Sequence, residues 1–462
     1  MKKNWNGKRI VIIGAARQGL AAARFLFRNG AFVTLNDQRC VDELTGAQAT
    51  LNDISIQWVL GSHPLELLEN CDFLCISGGI PLTLPIIVEA SKRGIPLIND
   101  TQIFMQEVPC RTIGITGSAG KTTTTALVGQ IAHNAFAENP NRVWVGGNIG
   151  DPLLNHIDQM QSDDLAVLEI SSFQLEQMDQ SPDIAAVLNI TPNHLDRHKT
   201  MQAYIAAKSR LIDFQDKNSI TILGRDDPNT LNLKDRVHGQ LLSFGFSKLD
   251  DNAHGIFFSD GRYILRSKLG EKVLFDQSIV QLRGEHNQLN VMAACLITSA
   301  AGFEKEDLVT GVQEFRGVAH RMEYVRNWRG ADWYNDSIAT APERTMAAIR
   351  SFDQPIVLLL GGRDKDLPWE SLADLIQQRV RQVVLFGEAA EIIEKALLQI
   401  PEKKRHYSLH RRKLMKDAVL KAASLAKPGD VVLLSPGGTS FDEFRDFEER
   451  GERFQQWVQE LS

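Results

Sequence analysis

The sequence predicts an α/β protein of three domains, and three observations predict it. Short apolar β runs alternate with helical stretches along nearly all of the 462 residues. Glycine-rich turns close several of those runs at their carboxyl ends, at 14–19, 78–79, 117–120, 361–362 and 437–438. The length itself is about three times that of a typical domain.

Composition narrows the class. Hydrophobic residues make up 43% and charged residues 23%, which is enough apolar material for a large core. The net charge of −6 argues against nucleic acid as a partner, while leaving room for a local basic site. No apolar run approaches ~18 residues and the N-terminal MKKNWNGKRI lacks an apolar signal core, so no membrane partner and a cytoplasmic location are expected. Cys40, Cys71, Cys75, Cys110 and Cys295 show no CxxC or zinc spacing; reduced thiols are expected, with Cys71 and Cys75 packed in the core.

The first domain is expected over residues 1–108. A β run, Lys8–Gly14, turns through Ala15, Ala16 and Arg17 to Gly19, then enters a helix from about Leu20. A second run, Ala31–Asn36, ends at Asp37, with Arg39 beyond it. This βαβ start is Rossmann-like, with an acidic residue about twenty positions on. The middle glycine of the dinucleotide fingerprint is missing, so a nucleotide diphosphate other than NAD fits equally well, and a ligand-free structural turn is the plain alternative. Phe73–Ser77 ends in Gly78-Gly79-Ile80-Pro81, on the sheet edge where ligands bind in such folds. Val108-Pro109 reads as a linker.

The second domain, 109–318, opens on the most specific signal in the chain. Residues 112–116 form a β run, followed by Gly117-Ser118-Ala119-Gly120-Lys121-Thr122-Thr123 and a helix to about Asn134. Glycines let backbone N–H groups approach an anion, and the helix start adds partial positive charge. Lys121 is placed to reach β/γ-phosphates and the Thr122 hydroxyl to ligate magnesium. The spacing is the short G-x-x-G-K-T form. Downstream, Asn148 sits in Gly146–Gly150, and the apolar run 165–170 carries Glu169 near its end, where Mg²⁺ or its water shell is usually held. The run Ala185–Ile190 ends in a cluster containing His194, Asp196, Arg197 and His198, which suits metal or phosphate work or a capping loop. Lys208 lies in the helix Met201–Phe214 among small and apolar residues, where snorkelling to solvent is the plain reading. A β-richer stretch follows. Asn287 and Asn290 then precede a helix from Val291; spaced i, i+3, they share a face able to read a base edge, or Asn287 caps the helix.

The third domain, 319–462, returns to α/β alternation. His320-Arg321 precedes a strand, Ala331–Asn335 ends at Asp336-Ser337, and Ile356–Leu360 runs into Gly361–Asp366. Asp430–Leu434 runs into Ser435–Asp442, followed by a charged helix, Glu443–Leu461. This is a second Rossmann-like unit.

Ten segments, in order, resemble the Mur ligase family over nearly the whole chain: ITGSAGKTTT, GGNIGDPLL, LEISSFQLE, NITPNHLDRH, YIAAKSRL, GEHNQLNVMAA, HRMEYV, NDSIAT, LLLGGRDK and LLSPGGTSFDEFRDFEERG. Among family members the set is most similar to the glutamate-adding step. The resemblance implies an ATP-dependent amide-forming ligase that works through an acyl phosphate. Its expected partners are UDP-N-acetylmuramoyl-L-alanine and glutamate, and its expected state is a monomer. The first domain would hold the UDP at Ala15, Ala16, Arg17, Asp37 and Arg39, with Ser77 and Gly78 near the diphosphate. ATP and about two Mg²⁺ ions would sit in the second, with Lys121 and Thr122 on phosphates and metal. Thr122, Glu169, His194 and Lys208 would be the metal set, Lys208 as a carbamate. Lys121, Lys208 and His194 would be catalytic. Asn148 would lie near the sugar or acyl phosphate, Asn287 and Asn290 near adenine, and Arg321 and Asp336 against ATP. Thr340, Lys365, Ser440 and Phe447 match the glutamate pattern. Two positions depart from it. Ile338 stands where the family commonly has lysine, which leaves the glutamate enantiomer open and makes Arg344 or Arg363 the expected replacement charge. Asn193 stands where an acidic residue is common. A nucleotide-sugar or ATP sensor without catalysis, and an NAD-dependent dehydrogenase, are the alternatives from other classes; a complete phosphate and metal set speaks against both.

Overall fold

The computed structural model describes residues 3–137, 140–365, 367–399 and 401–462, and for Asp196 and Glu402 the backbone only. The Asp196 side chain and Asp366 therefore lie outside the described residues. Among those described, the strands form three sheets, one per expected domain.

The first sheet contains β1 (Arg9–Ile13), β2 (Phe32–Asp37), β3 (Gln57–Leu60), β4 (Phe73–Ile76) and β5 (Leu97–Ile98), all parallel, in the order β3-β2-β1-β4-β5. The strand order reverses between β1 and β4, so the turn after β1 opens where doubly wound sheets bind ligands. The following helix is Arg17–Arg28, three residues earlier than the apolar pattern marks, because Arg17 and Gln18 are polar first-turn positions. Gly19 is required for close packing: a Cβ there would lie 2.0 Å from the Gly14 carbonyl oxygen and 2.5 Å from Ser77 Oγ.

The second sheet contains β6 (Arg111–Thr116), β7 (Val143–Gly147), β8 (Leu165–Glu169), β9 (Ile184–Val187), β10 (Ile220–Gly224), β11 (Gln240–Gly245), β12 (Gly255–Ser259), β13 (Arg262–Ser267) and β14 (Gly270–Asp276). Its order is β14-β13-β12-β11-β10-β9-β6-β8-β7, parallel up to β12 and antiparallel beyond. The parallel strands are covered on both faces, which is why β8 and β9 read as unbroken apolar runs. The helix Lys121–Ala135 follows β6, and the helix Met201–Asp213 carries Lys208. The first two sheets share one apolar cluster, from Trp5 and Ile10 through Leu154 and Leu168, and residues 1–281 with 285–315 form one compact unit. Fully burying each such aliphatic side chain contributes roughly 1.5–3 kcal/mol. Val108-Pro109 is thus a junction inside that unit. One boundary is corrected: the helix expected from Val291 begins at Glu285, so Asn287 lies within its first turn and does not cap it.

The remaining unit, 282–284 with 316–462, holds β15 (Glu323–Trp328), β16 (Ala331–Asn335), β17 (Ile356–Gly361), β18 (Val380–Phe386), β19 (Ser408–Arg411) and β20 (Val431–Gly437). Their order is β15-β16-β20-β17-β18-β19, with only the β15 pairing antiparallel. The final helix is Phe447–Gln459, four residues shorter at its start than expected, because Asp446 caps it by accepting from the Glu449 N–H.

Candidate active site

The loop after β6 turns through Gly120 at φ +84°, a left-handed conformation that favours glycine. A Cβ there would also meet Asn290 Oδ1 at 2.2 Å, so the Asn290 side chain packs directly behind the loop. Asn290 donates to Asn287 Oδ1 at 3.1 Å, and the two share a helix face as their spacing requires. Two elements missed by the sequence reading shape the loop. Asn189 accepts from the Ala119 N–H at 2.8 Å and donates to the Ala119 carbonyl at 3.0 Å. Ser118 Oγ donates to the Thr191 carbonyl at 2.8 Å and lies 3.0 Å from Tyr204 Oη. The cue for Asn189 was its place after the buried run of β9; nothing in the pattern singled out Tyr204.

Two lysines converge on one carbonyl. Lys121 Nζ donates to the Gly117 oxygen at 2.7 Å, and Lys208 Nζ donates to the same atom at 2.9 Å and to Thr116 Oγ1 at 3.3 Å. Lys208 is 1% exposed, so it does not snorkel. Burial, then the charge of Lys121, push its ammonium well below the usual lysine range, and Glu169 only partly opposes them. Glu169 is 2% exposed. Its Oε1 accepts from Asn148 Nδ2 at 2.9 Å, while Oε2 has no hydrogen-bond partner among the described residues. A buried carboxylate oxygen left in that state costs stability, and a cation bound there would relieve the cost.

His194 adopts a left-handed conformation, φ 53°, at the head of the short helix Leu195–His198, with its ring edge-on to Phe173 at 5.2 Å. A further cluster holds this turn. His198, buried, bonds Glu176 through Nδ1 at 3.0 Å and Ser172 Oγ through Nε2 at 2.9 Å, and stacks on Phe173. Arg197 donates to the Gly79 carbonyl at 3.1 Å and to that of Ile80, and lies over Phe173 at 4.1 Å, tying the turn after β4 to the second sheet. Neither His198 nor Arg197 was singled out beyond its cluster, because their partners lie far off in sequence. Among the described residues no group of three or more His, Cys, Asp and Glu forms a metal cage. A magnesium ion would instead depend on Glu169, His194, the Thr122 hydroxyl and phosphate oxygens, which suits an ion that keeps waters and takes one or two carboxylates.

In the first sheet, Asp37 gathers the turn after β1. Its carboxylate accepts from the Ala15 N–H at 2.7 Å and pairs with Arg39 at 2.8 Å. Burial alone would raise its pKa, but the hydrogen bonds from Arg39 and Ala15 outweigh it and hold the carboxyl at about 2. Ala16 caps the helix in an extended conformation, and Arg17 reaches the Gly150 carbonyl at 3.4 Å. Ser77 Oγ donates to Gly14 at 2.8 Å, and the Gly78 N–H donates to Gln18 at 3.2 Å. The turn after β1 and the turn after β4 are therefore brought together.

In the third sheet, Asp336 is buried and accepts from Ser435 Oγ at 2.8 Å; burial raises its pKa to about 7 against the pull of Ser435, Met322, Arg321 and Arg344. Lys365 Nζ lies 3.5 Å from Thr340 Oγ1. Ser440 is buried after β20, and the Phe447 carbonyl accepts from Ser337 Oγ at 2.8 Å.

Comparison with known proteins places this arrangement. The MurD-like N-terminal domain model of Mur ligases matches residues 8–99, the Mur ligase middle domain 115–298, and the Mur ligase glutamate ligase domain 320–438. The chain belongs to the Mur ligase family. Mur ligases are ATP-dependent, ADP-forming enzymes that make amide bonds in peptidoglycan precursor synthesis. The chain is 38% identical over 457 residues to the UDP-N-acetylmuramoylalanine–D-glutamate ligase of Koribacter versatilis, covering 99% of this chain and 98% of that one. It is 37% identical to the ligase of the same name from Syntrophus aciditrophicus, covering 98% of both. Among solved structures, the UDP-N-acetylmuramate-alanine ligase MurC of Thermotoga maritima matches with a TM-score of 0.56 at 18% identity, covering 98% of this chain and 99% of that one. The MurF ligase of the same organism, in complex with ADP, matches with a TM-score of 0.54 at 18% identity over 100% of both chains. These two share the fold of this Mur ligase. Among its described residues no helix is long and apolar enough to cross a membrane.

Proposed function

We propose that this Mur ligase joins UDP-N-acetylmuramoyl-L-alanine to D-glutamate, converting ATP to ADP and phosphate, as a monomer in the cytoplasm with domains at 1–108, 109–318 and 319–462. The observation that carries the chemistry is the pair of lysines on the Gly117 carbonyl, Lys208 buried and Lys121 half-buried, with the buried Glu169, one oxygen unpartnered among the described residues, near enough to act on Lys208. The choice of substrates is supported by the full-length relatives of that name.

A carboxylate is a poor electrophile. Its oxygen attacks the γ-phosphorus of ATP, the bond to the β–γ bridging oxygen breaks, and ADP leaves with that electron pair. Lys121 moves from the Gly117 carbonyl to the β/γ-phosphates, and the N–H groups of 117–123 surround the same oxygens. Bound magnesium supplies charge neutralisation at the phosphates, held by Thr122, Glu169 and His194. The free amine of glutamate then attacks the carbonyl carbon of the acyl phosphate, which becomes tetrahedral; the nitrogen gives up one proton, and inorganic phosphate departs with the C–O bond pair as the amide forms. Asn148, held on Glu169, faces the acyl phosphate. Asn287 and Asn290 lie on the adenine side, and Arg321 and Asp336 contact ATP. Ala15, Ala16, Arg17, Asp37, Arg39, Ser77 and Gly78 hold the UDP and its diphosphate. Thr340, Lys365, Ser440 and Phe447 receive glutamate. Lys208 carries a carbamate: its neutral amine adds to CO₂, a proton leaves, and the neutral side chain becomes an anion that would suit a second magnesium. The lowering of its pKa by burial supports this, because it favours the neutral amine, the only nucleophilic form.

Phosphate release from ATP tests the reading, with UDP-N-acetylmuramoyl-L-alanine and either D- or L-glutamate. Release dependent on D-glutamate is expected. Release with L-glutamate alone would overturn the stereochemical assignment, and none with either would overturn the ligase reading.

A further inference from the structure

The segment after β16, Asp336–Ala341, is approached by cations from three elements. Arg450, on the final helix, is fully buried and donates to Ser337 Oγ at 3.0 Å, the Ser337 carbonyl at 2.8 Å and the Gly438 carbonyl at 3.1 Å. Lys365, after β17, reaches Thr340 Oγ1. Arg344, in the first turn of the helix Pro342–Arg350, donates to the Ile338 carbonyl at 3.4 Å. Arg363 does not join them: it is held in a two-pronged pair by Glu388, at 2.8 and 3.2 Å.

Arg450 is committed to backbone carbonyls. Arg344 and Lys365 are accessible to solvent, and neither is within salt-bridge distance of a carboxylate among the described residues. They are near enough for the charges of Arg344 and Arg450 to add to desolvation in pulling the Lys365 ammonium below its usual range. Two like charges held beside one loop, neither paired to a carboxylate among the described residues, favour an anion.

We infer that Arg344 is the second cation of the amino-acid pocket, so that it and Lys365 each meet one carboxylate of a dicarboxylate substrate. This rests on the glutamate reading above. The amine must lose its proton before it attacks, so the reacting form of glutamate carries two negative charges and no positive one. A single lysine leaves one carboxylate without a partner. Ile338 offers only its carbonyl, and Arg344 is fastened to that carbonyl, with a planar fork suited to a carboxylate. Arg344 therefore supplies, from one turn along the next helix, the charge that residue 338 does not carry.

The test uses the full chain and initial rates of phosphate release, with the glutamate enantiomer the wild type accepts and its two monoamides, glutamine and isoglutamine. Arg344→Ala and Arg344→Gln are expected to raise the glutamate KM at least tenfold and leave the KM values of ATP and the nucleotide sugar unchanged. The preference for glutamate over one of the monoamides should fall at least tenfold. Arg344→Lys should recover part of both, and Arg363→Ala should change neither. An unchanged glutamate KM in the Arg344 variants would overturn the proposal. So would a raised KM with both monoamide preferences intact, since that is the mark of a loosened loop. A wild type with no glutamate-dependent release would instead overturn the ligase reading itself.

Discussion

Lys208 and Arg450 are both buried cations, and among the described residues neither hydrogen-bonds a carboxylate; they have opposite fates. Lys208, at the floor of the phosphate loop, gives its nitrogen to one carbonyl and one hydroxyl. Arg450, beneath the Asp336–Ala341 segment, spreads a rigid fork over two carbonyls and a hydroxyl. Burial pulls Lys208 well below its usual range, whereas Arg450 is pulled only to about 10 and keeps its charge at neutral pH. An ammonium can shed its proton when solvation is withdrawn; a guanidinium starts too high and must instead be solvated by backbone. The first environment makes a reactive nitrogen. The second makes a scaffold that holds two loops in register. The same desolvation therefore serves chemistry in one region and geometry in the other.

The largest expected effect lies on the reactive side. Lys208→Ala should lower kcat by about 10³-fold, near the upper range for loss of a preorganised charge, and added formate or acetate should restore part of it. Unaltered turnover in this variant would break the contrast, making Lys208 a scaffold like Arg450. Next comes Glu169→Gln, expected to lower kcat by about 10²-fold and to raise the magnesium concentration needed for half-maximal rate. Its thermal stability should hold or rise, because a buried carboxylate with an unpartnered oxygen is replaced by a neutral amide. Parallel loss of stability and turnover would mean that Glu169 is structural.

On the scaffold side, Arg450→Lys should act through the loops. A lysine cannot span the Ser337 and Gly438 carbonyls together, so buried acceptors lose partners at roughly 1–3 kcal/mol each. The unfolding transition of the 316–462 unit should fall, and the glutamate KM should rise about tenfold, a change worth about 1.4 kcal/mol. ATP affinity should not move. Equal weakening of ATP and glutamate binding would show that Arg450 is not specific to the loops it touches.

How much of this was readable in the sequence follows from where partners lie along the chain. The phosphate loop was legible because strand, glycines, Lys121 and Thr122 are consecutive, and local backbone geometry carries the function. The three sheets were legible because covered parallel strands demand apolar runs, as in β8, β17 and β20. Helix starts were not: polar first turns at Arg17 and Glu285 carry no apolar period. Lys208 was ambiguous because one lysine in an apolar helix snorkels or is buried depending on what covers it, here the Gly117 turn 91 positions away. Arg450 was invisible for the same reason, its Ser337 partner being 113 residues distant in a charge-rich helix. Asn189 and His198 likewise earn their meaning only from partners across the sheet edge.

The smallest effect extends the comparison to an anion. Asp100, in the first turn of the helix Asp100–Glu107, is buried with Oδ1 unpartnered among the described residues, and burial raises its carboxyl to about 7 against the pull of backbone hydrogen bonds. Its folded pKa lies above the unfolded value of 3.8, so the folded state holds the proton more tightly between the two. The stability this confers is fully present below about pH 4, shrinks as pH rises through about 7, and is absent above that. Asp100→Asn cannot titrate and keeps the shape. It should flatten this slope and be more stable than the wild type at pH 8, with the gap narrowing toward pH 5. Thermal unfolding at pH 5 and pH 8 reads the difference directly. If the two proteins keep the same gap at both values, Asp100 is solvated by something other than its own protonation, and it belongs with Arg450 as a charge that burial does not discharge.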